Sequence, residues 1–380
     1  MIIVLVSHME VIVPIPTLAV VPGGTVSLDA FFVLSGFLIT SLMLREQQRK
    51  NRIDAKGFYR RRALRLLPPL LAVLVFQAIM ALNSGVSYHE EWTSLASVVF
   101  YYSNWKLAFN STALGGNIAP GLQHLWSLAL EEQFYFIWPL VTIFFLTIRT
   151  KLRTVVIVLT TLIVAIAIHR ALMYNGPNSW YADFIRTDTR ADGILLGCLL
   201  AHLWMRYKEP KRGVKIAASI SAIFLLICLP LVNTTAPFLF DGGISAIDLA
   251  CAVIILALLD GQWKGSKFFS LKPFIILGTV SYALYLWHLP IYFGIRYHAG
   301  GWPTPVRVSV AVLATFFFTA LSWFFIEKPI MEWKDRIEGR TYVERLSLST
   351  VASWFSWLPW SRAKRSRPSP GQAEAGASPQ

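Results

Sequence analysis

Ten long apolar blocks constrain this sequence more than any other feature. Each is about 20 residues long, the length at which a helix rising about 1.5 Å per residue crosses about 30 Å of hydrocarbon. Lipid offers no partner to an unpaired backbone N–H or C=O, so such blocks must be helices. The sequence therefore predicts an all-α, polytopic transmembrane bundle of about ten helices. The blocks lie near residues 1–21, 26–44, 66–83, 125–147, 154–173, 191–205, 216–233, 244–260, 274–294 and 306–326.

The composition excludes a soluble globular domain. Hydrophobic residues make up 55% of the 380 positions and charged residues only 15%, whereas a soluble domain is about a quarter charged. In a soluble chain the net charge of +14 would suggest nucleic acid as a partner. In a membrane protein the same charge is expected from basic loops that stay in the cytoplasm. We therefore predict that the partner is the lipid bilayer and not nucleic acid.

The distribution of basic residues among the loops predicts the orientation of the bundle. With the amino terminus inside, 29 of the 35 Lys and Arg residues fall in segments that would be cytoplasmic. Short cytoplasmic loops carry such an excess of Lys and Arg. Both termini are therefore predicted to be cytoplasmic, in a plasma membrane or bacterial inner membrane. The segments are 45–65, 148–153, 206–215, 261–273 and 327–380.

Two stretches depart from the pattern of spanning blocks and short loops. Residues 84–124 form a long outer segment with aromatic patches and a Gly-rich end that includes Gly115 and Gly116, which predicts a re-entrant or interfacial lid. From about residue 342 the chain is first amphipathic and then basic and rich in Pro, Ser and Gly, which is typical of a membrane-surface helix followed by disorder. We divide the chain into a transmembrane domain, 1–330, and a cytoplasmic tail, 331–380.

Ionisable residues inside or beside the apolar blocks are candidates for function, because charges are costly there. His8 lies in the first block and is either a functional imidazole or a packed, hydrogen-bonded side chain. Arg61, Arg62 and Arg65 stand together where the third block begins, and Arg61 and Arg65 share a helix face. Three guanidinium groups in this position suit phosphate recognition. The alternative is that they only hold the helix end in the cytoplasm.

Adjacent carboxylates, Glu131 and Glu132, lie within the block 125–147. Neighbours on a helix point about 100° apart, so at least one is expected to face a polar cavity, and an ion pair with another helix is the alternative. Arg190 lies in a charged run that opens the block 191–205, and His288 is a further intramembrane histidine. The three cysteines lie in apolar runs, and no metal-binding, Walker or dinucleotide signature appears. No metal is predicted.

Four ordered segments of the sequence resemble the acyltransferase-3 family of membrane O-acyltransferases. They are 29–40, which contains Gly36-Phe37-Leu38; 58–68, with the three arginines; 127–139, with the two glutamates; and 281–290, which begins Ser281-Tyr282. The similarity covers about residues 4–330. The order and spacing of four motifs in matching membrane positions make the resemblance specific.

The resemblance implies an acyl-CoA donor, with acetyl-CoA the commonest, and transfer of a short acyl group to a hydroxyl. Acceptors in the family are mostly sugars of cell-surface or exported glycans, or glycosylated molecules. The family's essential first-helix histidine matches His8, and its Glu-Glu pair matches Glu131 and Glu132. The family's Gly-Phe-Leu and Arg-Arg-x-x-Arg motifs match the residues named above. The remaining recurring segments contain Arg190, Ser281 and Tyr282, for which we expect contacts with substrate.

The first helix departs from the family pattern. The family usually carries an arginine about ten residues before the histidine, a position that would precede Met1. A spanning helix that begins at its midpoint makes little physical sense, so we expect the natural start to lie upstream of Met1. A milder departure is Ser27-Leu28, where the family usually has Gly-Val before the aspartate.

Taken together, these residues predict an O-acyltransferase. His8 is expected to act as the base that takes the acceptor's hydroxyl proton, and the three arginines to hold the phosphates of coenzyme A. Gly36 is expected to let the acyl arm approach the backbone closely, and Glu131 or Glu132 to orient His8 or bind the acceptor. A multi-pass transporter or flippase of a glycan or lipid-linked substrate is the main alternative, and it would be expected to show internal repeats. A non-enzymatic membrane assembly protein is a third reading.

Reporter fusions test the predicted orientation. Fusions after residues 55, 105, 210 and 240 are expected to report inside, outside, inside and outside, because the basic loops are retained in the cytoplasm. An alkaline phosphatase and a green fluorescent protein reporter at each position provide opposite readouts, and reversal of any one position would contradict the ten-helix map.

Overall fold

A computed structural model of the protein describes residues 1–13, 23–82, 88–109, 118–176, 179–207 and 213–337. Within these ranges the chain is mostly helical and has no β-strand, which confirms the predicted all-α class. The α-helices are α1 Ile2–Ser7, α2 Gly24–Lys50, α3 Ala55–Ala81, α4 Tyr88–Val99, α5 Ser103–Ala108, α6 Trp126–Thr147, α7 Leu152–Met173, α8 Trp180–Ile185, α9 Thr187–Arg190, α10 Asp192–Tyr207, α11 Val214–Leu231, α12 Ile244–Asp260, α13 Gly265–Phe269, α14 Lys272–Thr279, α15 Ser281–His298, α16 Thr304–Ser322 and α17 Lys328–Ile337.

Seven helical segments in the described part of the chain are long and apolar enough to cross a membrane. An eighth span results if α14 and α15, which meet at a bend of 67°, are counted together. Two further predicted blocks are shorter: the first is an apolar helix at Ile2–Val11, and the block 191–205 is α10, of 16 residues. The count of ten and the cytoplasmic termini stay predictions. The seven segments are Gly24–Lys50, Ala55–Ala81, Pro120–Thr147, Leu152–Met173, Val214–Leu231, Leu239–Asp260 and Thr304–Lys334.

Helix α2 lies at the centre of the bundle and packs on α10. Over its most apolar stretch 56% of α2 is buried, compared with 11% for α11 and 17% for α7. Two glycines bring the two backbones together: a Cβ added to Gly36 would overlap the carbonyl oxygen of Ile194, and one added to Gly197 would overlap that of Val33. Small residues of this kind let membrane helices approach closely. The short helix α10 is therefore an internal element of the bundle.

Part of the predicted lid, 84–124, is described. Helices α4 and α5 pack at one end of the bundle, where the backbone N–H of Ala119 donates to Ser94 Oγ on α4 at 3.1 Å. Gly115 and Gly116 lie outside the described residues. The same holds for the predicted tail from residue 338 onward, so its amphipathic and disordered character stays a prediction.

The Gly36 contact gives a stability prediction. Gly36→Ala is expected to lower the free energy of unfolding by about 1–3 kcal/mol, because the added methyl group forces α2 and α10 apart. The matched control is Gly294→Ala on α15, where an added Cβ meets nothing within 4 Å and Ala is favoured over Gly in a helix by up to about 1 kcal/mol. Thermal unfolding in detergent measures both, and equal midpoints would contradict the packing role of Gly36.

Candidate active site

Three histidines from distant parts of the sequence meet inside the bundle. His8 follows α1 in a 3₁₀ turn, His124 lies near the end of the 3₁₀ turn Pro120–Leu125 that leads into α6, and His288 lies in the middle of α15. The ring centroids of His8 and His288 are 5.1 Å apart, and those of His124 and His288 are 4.8 Å apart. We call these three side chains the histidine centre.

The hydrogen bonds of the histidine centre indicate which nitrogens carry protons. The backbone carbonyl of Tyr285 accepts from His124 Nε2 at 2.9 Å and from His288 Nδ1 at 2.7 Å. A neutral imidazole has one N–H, so His288 Nε2 is left as an acceptor, and it lies 3.3 Å from His8 Nδ1. His8 Nδ1 is also 2.9 Å from the carbonyl of Val4. Its proton therefore lies on Nδ1, and His8 Nε2 carries the lone pair that a base needs.

Tyr285 also supports the centre through its side chain. Its hydroxyl donates to the backbone carbonyl of His124 and accepts from Ser127 Oγ at 2.8 Å. His124 Nδ1, by contrast, is buried without a hydrogen-bond partner in the described structure. As His124 Nε2 is the donor, this Nδ1 is a second imidazole lone pair within the centre.

The two glutamates lie in α6, seven and eight residues after His124. They face different groups, as their adjacency predicted. Glu132 forms a bidentate ion pair with Arg62, whose Nε lies 3.0 Å from both carboxylate oxygens. The Arg62 guanidinium also lies over the ring of Tyr135, 3.4 Å from its centroid. Glu131 instead has a hydrogen bond with the Ser35 side chain on α2. The polar side chain next to His8 is His288, and Glu132 is held by Arg62; the expectation that Glu131 or Glu132 orients His8 or binds the acceptor stays a prediction.

The three arginines have three different environments. Arg61 lies 3.9 Å from Glu46, Arg62 is the partner of Glu132, and Arg65 is exposed in the described structure. Tyr282 lies close by on α15, where its hydroxyl donates to the carbonyl of Leu66 at 3.0 Å. The charge of Glu327 also acts on the Arg65 guanidinium.

The remaining predicted contacts lie elsewhere in the fold. Gly36 and Phe37 are buried in the packing of α2, whereas Leu38 is on its outer face, 48% exposed. The hydroxyl of Ser281 donates to the carbonyl of Gly278 at 2.9 Å, within the bend before α15. The structure gives Gly36 a role in helix packing, and the donor and substrate contacts expected for these residues stay predictions.

Arg190 is enclosed in the core and forms an ion pair with Asp29 of α2. Both side chains are almost fully buried, and the guanidinium lies 4.8 Å from the centroid of the Phe184 ring. A second ion pair lies nearby, with Arg170 Nη1 2.9 Å from Asp192 and Nη2 2.7 Å from Ser245 Oγ. The first pair joins α2 and α9, and the second joins α7, α10 and α12. Arg190 therefore has a structural partner, and its expected substrate contact stays a prediction.

The sequence reasoning did not assign a role to His124, Tyr285 or Ser127. Ser127 and Tyr285 lie within the segments 127–139 and 281–290, and His124 lies three residues before the first of these. An intramembrane histidine is by itself a signal of function. What the sequence lacked was the pairing, since His8 and His288 are 280 positions apart. The Arg170–Asp192 pair was also not anticipated, although a buried arginine at the end of α7 was visible as an exception in an apolar block.

The fold and the site define an integral membrane protein whose helical bundle encloses a hydrogen-bonded histidine centre. The family model described as an acyltransferase domain matches residues 1–327, and the chain therefore belongs to the acyltransferase-3 family.

Characterised relatives resemble the same region. The chain is 34% identical over 326 residues to the O-acetyltransferase OatA of Staphylococcus aureus, which covers 81% of this chain and 53% of the relative. It is 32% identical over 332 residues to the peptidoglycan O-acetyltransferase OatA of Listeria monocytogenes, 81% of this chain and 51% of the relative. It is 30% identical over 347 residues to the putative peptidoglycan O-acetyltransferase YrhL of Bacillus subtilis, 87% and 54% respectively. The chain thus spans about half the length of these relatives, and no solved structure matches it.

The buried pair of Arg190 and Asp29 gives a prediction that separates a structural role from a substrate contact. Asp29→Ala is expected to lower the free energy of unfolding by about 3–5 kcal/mol, because it leaves Arg190 buried without its partner. The double variant Asp29→Leu with Arg190→Leu is expected to recover most of that loss, since it removes both charges. Thermal unfolding in detergent measures both, and a double variant no more stable than Asp29→Ala would contradict the assigned pairing.

Proposed function

We propose that this chain is a membrane O-acetyltransferase that moves an acetyl group from acetyl-CoA to a sugar hydroxyl of a cell-wall glycan. The observation that carries the proposal is the histidine centre within an acyltransferase domain, with a lone pair on His8 Nε2. The names of the relatives support acetyl as the group and peptidoglycan as the acceptor. The predicted plasma-membrane location, with access to a cytoplasmic donor, is part of the same proposal.

The reaction requires a base, because a hydroxyl is a poor nucleophile until its proton is removed. His8 Nε2 takes that proton while the hydroxyl oxygen forms a bond to the acetyl carbon and the carbon–sulfur bond breaks. The imidazolium then gives the proton to the departing thiolate, so that an ester and the free thiol of coenzyme A are formed. No other co-reactant is needed.

His288 acts on this step through His8. Its Nε2 accepts the Nδ1–H of His8, which fixes the tautomer of His8 and stabilises the imidazolium when it forms, as the third member of a catalytic triad does. Its own orientation is fixed by the Tyr285 carbonyl. His288 is therefore a positioning residue, and His8 is the catalytic one.

The arginines are proposed to bind the donor. Arg65 is exposed and Arg61 has a long contact with Glu46, and guanidinium groups at this position suit the phosphates of coenzyme A. Arg62 is bound to Glu132 and fixes the position of that carboxylate in α6. Glu131 and Tyr282 border the same region and complete the candidate set for donor or acceptor contacts.

Labelled acetyl-CoA tests the proposal in the full-length protein. His8→Ala is expected to reduce acetyl transfer by at least about 10²-fold, the usual contribution of a base, while acetyl-CoA still binds. The matched control is His202→Ala on α10. Like His8 Nδ1, His202 Nδ1 lies 2.9 Å from the backbone carbonyl of the residue four positions earlier. Unlike His8, it has no hydrogen bond with a second histidine in the described structure. Replacing Arg61, Arg62 and Arg65 by Ala is expected to weaken acetyl-CoA binding, and Lys at these positions to restore it only in part.

Two outcomes would contradict the proposal. Full transfer by His8→Ala would exclude His8 as the base. Unchanged acetyl-CoA affinity in the triple-Ala variant would leave the arginines with a topological role only. A protein that moves a glycan or lipid-linked substrate across a bilayer without any dependence on acetyl-CoA would be a transporter or flippase instead.

A further inference from the structure

A polar cluster outside the proposed catalytic set lies against the histidine centre. Its members are Gln77 of α3 and Glu91 of α4. A Cβ added to Gly121 would lie 2.7 Å from Gln77 Oε1 and 3.0 Å from the Cα of Pro290. Gly121 belongs to the 3₁₀ turn that carries His124, and Pro290 follows His288 by two residues. Gln77 is therefore next to both backbone elements that hold the centre.

Glu91 connects with this position through Gln77. Its carboxylate has a hydrogen bond with the Gln77 side chain, but its second oxygen, Oε1, is buried with no hydrogen-bond partner in the described structure. The residue is only 7% exposed. Burial raises the pKa of Glu91, and the Gln77 hydrogen bond and the charge of Lys106 oppose that shift. A buried carboxylate oxygen without a hydrogen-bond donor destabilises the protein. A bound ligand with a hydroxyl group would supply the donor that Glu91 Oε1 lacks.

Lys106 does not take that role. Its Nζ donates to Thr93 Oγ1 at 2.8 Å, and no ion pair within 4 Å joins Glu91 and Lys106 in the part of the chain that the structure describes. The positive charge of Lys106 therefore acts on the Glu91 carboxylate from a distance and forms no direct ion pair with it in the described structure. Gln77 is itself only half-buried.

We propose that Gln77 and Glu91 form the acceptor subsite, where a sugar is bound through its hydroxyl groups. The inference rests on the proposed function and adds the position of the acceptor. A carboxylate accepts from a hydroxyl, and the amide of Gln77 can donate to one and accept from another. A sugar held there lies beside the histidine centre, because the Gln77 amide is next to the 3₁₀ turn that carries His124.

The test measures binding of soluble N-acetylglucosamine oligosaccharides to the full-length protein in detergent, by titration calorimetry. Glu91→Gln and Gln77→Ala are each expected to weaken this binding about 10-fold or more, the loss associated with one hydrogen bond to a charged or well-placed polar group. The matched control is Glu90→Gln, the same change one residue earlier on the exposed side of α4, which is expected to bind within about twofold of the unchanged protein. Affinity for acetyl-CoA is expected to stay unchanged in all three.

Binding is measured in the His8→Ala background as well, so that it does not depend on catalysis. Oligosaccharide affinity that is unchanged in both Glu91→Gln and Gln77→Ala overturns the subsite. Parallel losses of oligosaccharide and acetyl-CoA affinity also overturn it, since they indicate a structural role for the cluster. If Glu91→Gln does not fold, Gln77→Asn gives the same comparison. Normal oligosaccharide binding without any acetyl transfer would support the subsite and contradict the proposed function.

Discussion

A charge placed inside a helical bundle in lipid must find its partner within the protein, and the rest of this structure depends on that constraint. Asp29 with Arg190 and Arg170 with Asp192 neutralise one another in the core. The first pair joins segments 161 positions apart and the second joins segments 22 positions apart, so satisfying the charges also fixes which helices are neighbours. The glycine contact at Gly36 then sets how closely the central pair of helices approaches.

The histidine centre uses the same constraint for chemistry. Its three rings are oriented by backbone carbonyls and by one another rather than by carboxylates. A neutral network of this kind keeps an imidazole unprotonated inside an apolar bundle, where a carboxylate partner would itself need desolvation. The glutamates have other partners in the described structure, since Glu132 is paired with Arg62 and Glu131 has a hydrogen bond with Ser35.

Much of this arrangement follows from the sequence, and the limits have a physical origin. Block length and hydropathy are local properties, and they were sufficient for the all-α class and for most spanning helices. The sequence also marked His8, the arginines and the glutamates as candidates whose roles stay predictions, and the adjacency of Glu131 and Glu132 predicted that they face different groups. Pairing is not local: His8 meets His288 because the 3₁₀ turn His8–Val11 packs on α15, and nothing in either segment encodes that. The same reason explains Gly36, whose pattern suits a close approach but does not say whether a ligand or α10 makes it.

Both His124 and His288 hydrogen bond to one oxygen, the carbonyl of Tyr285. Every amino acid supplies a carbonyl, so no replacement at position 285 removes this acceptor, and a survey of side-chain substitutions would leave the key contact untouched. The backbone conformation near position 285 therefore determines which nitrogens of His124 and His288 carry protons. A change of helix geometry near position 285, such as one caused by an inserted residue, would disturb two imidazoles at once, although every side chain in the centre had been kept.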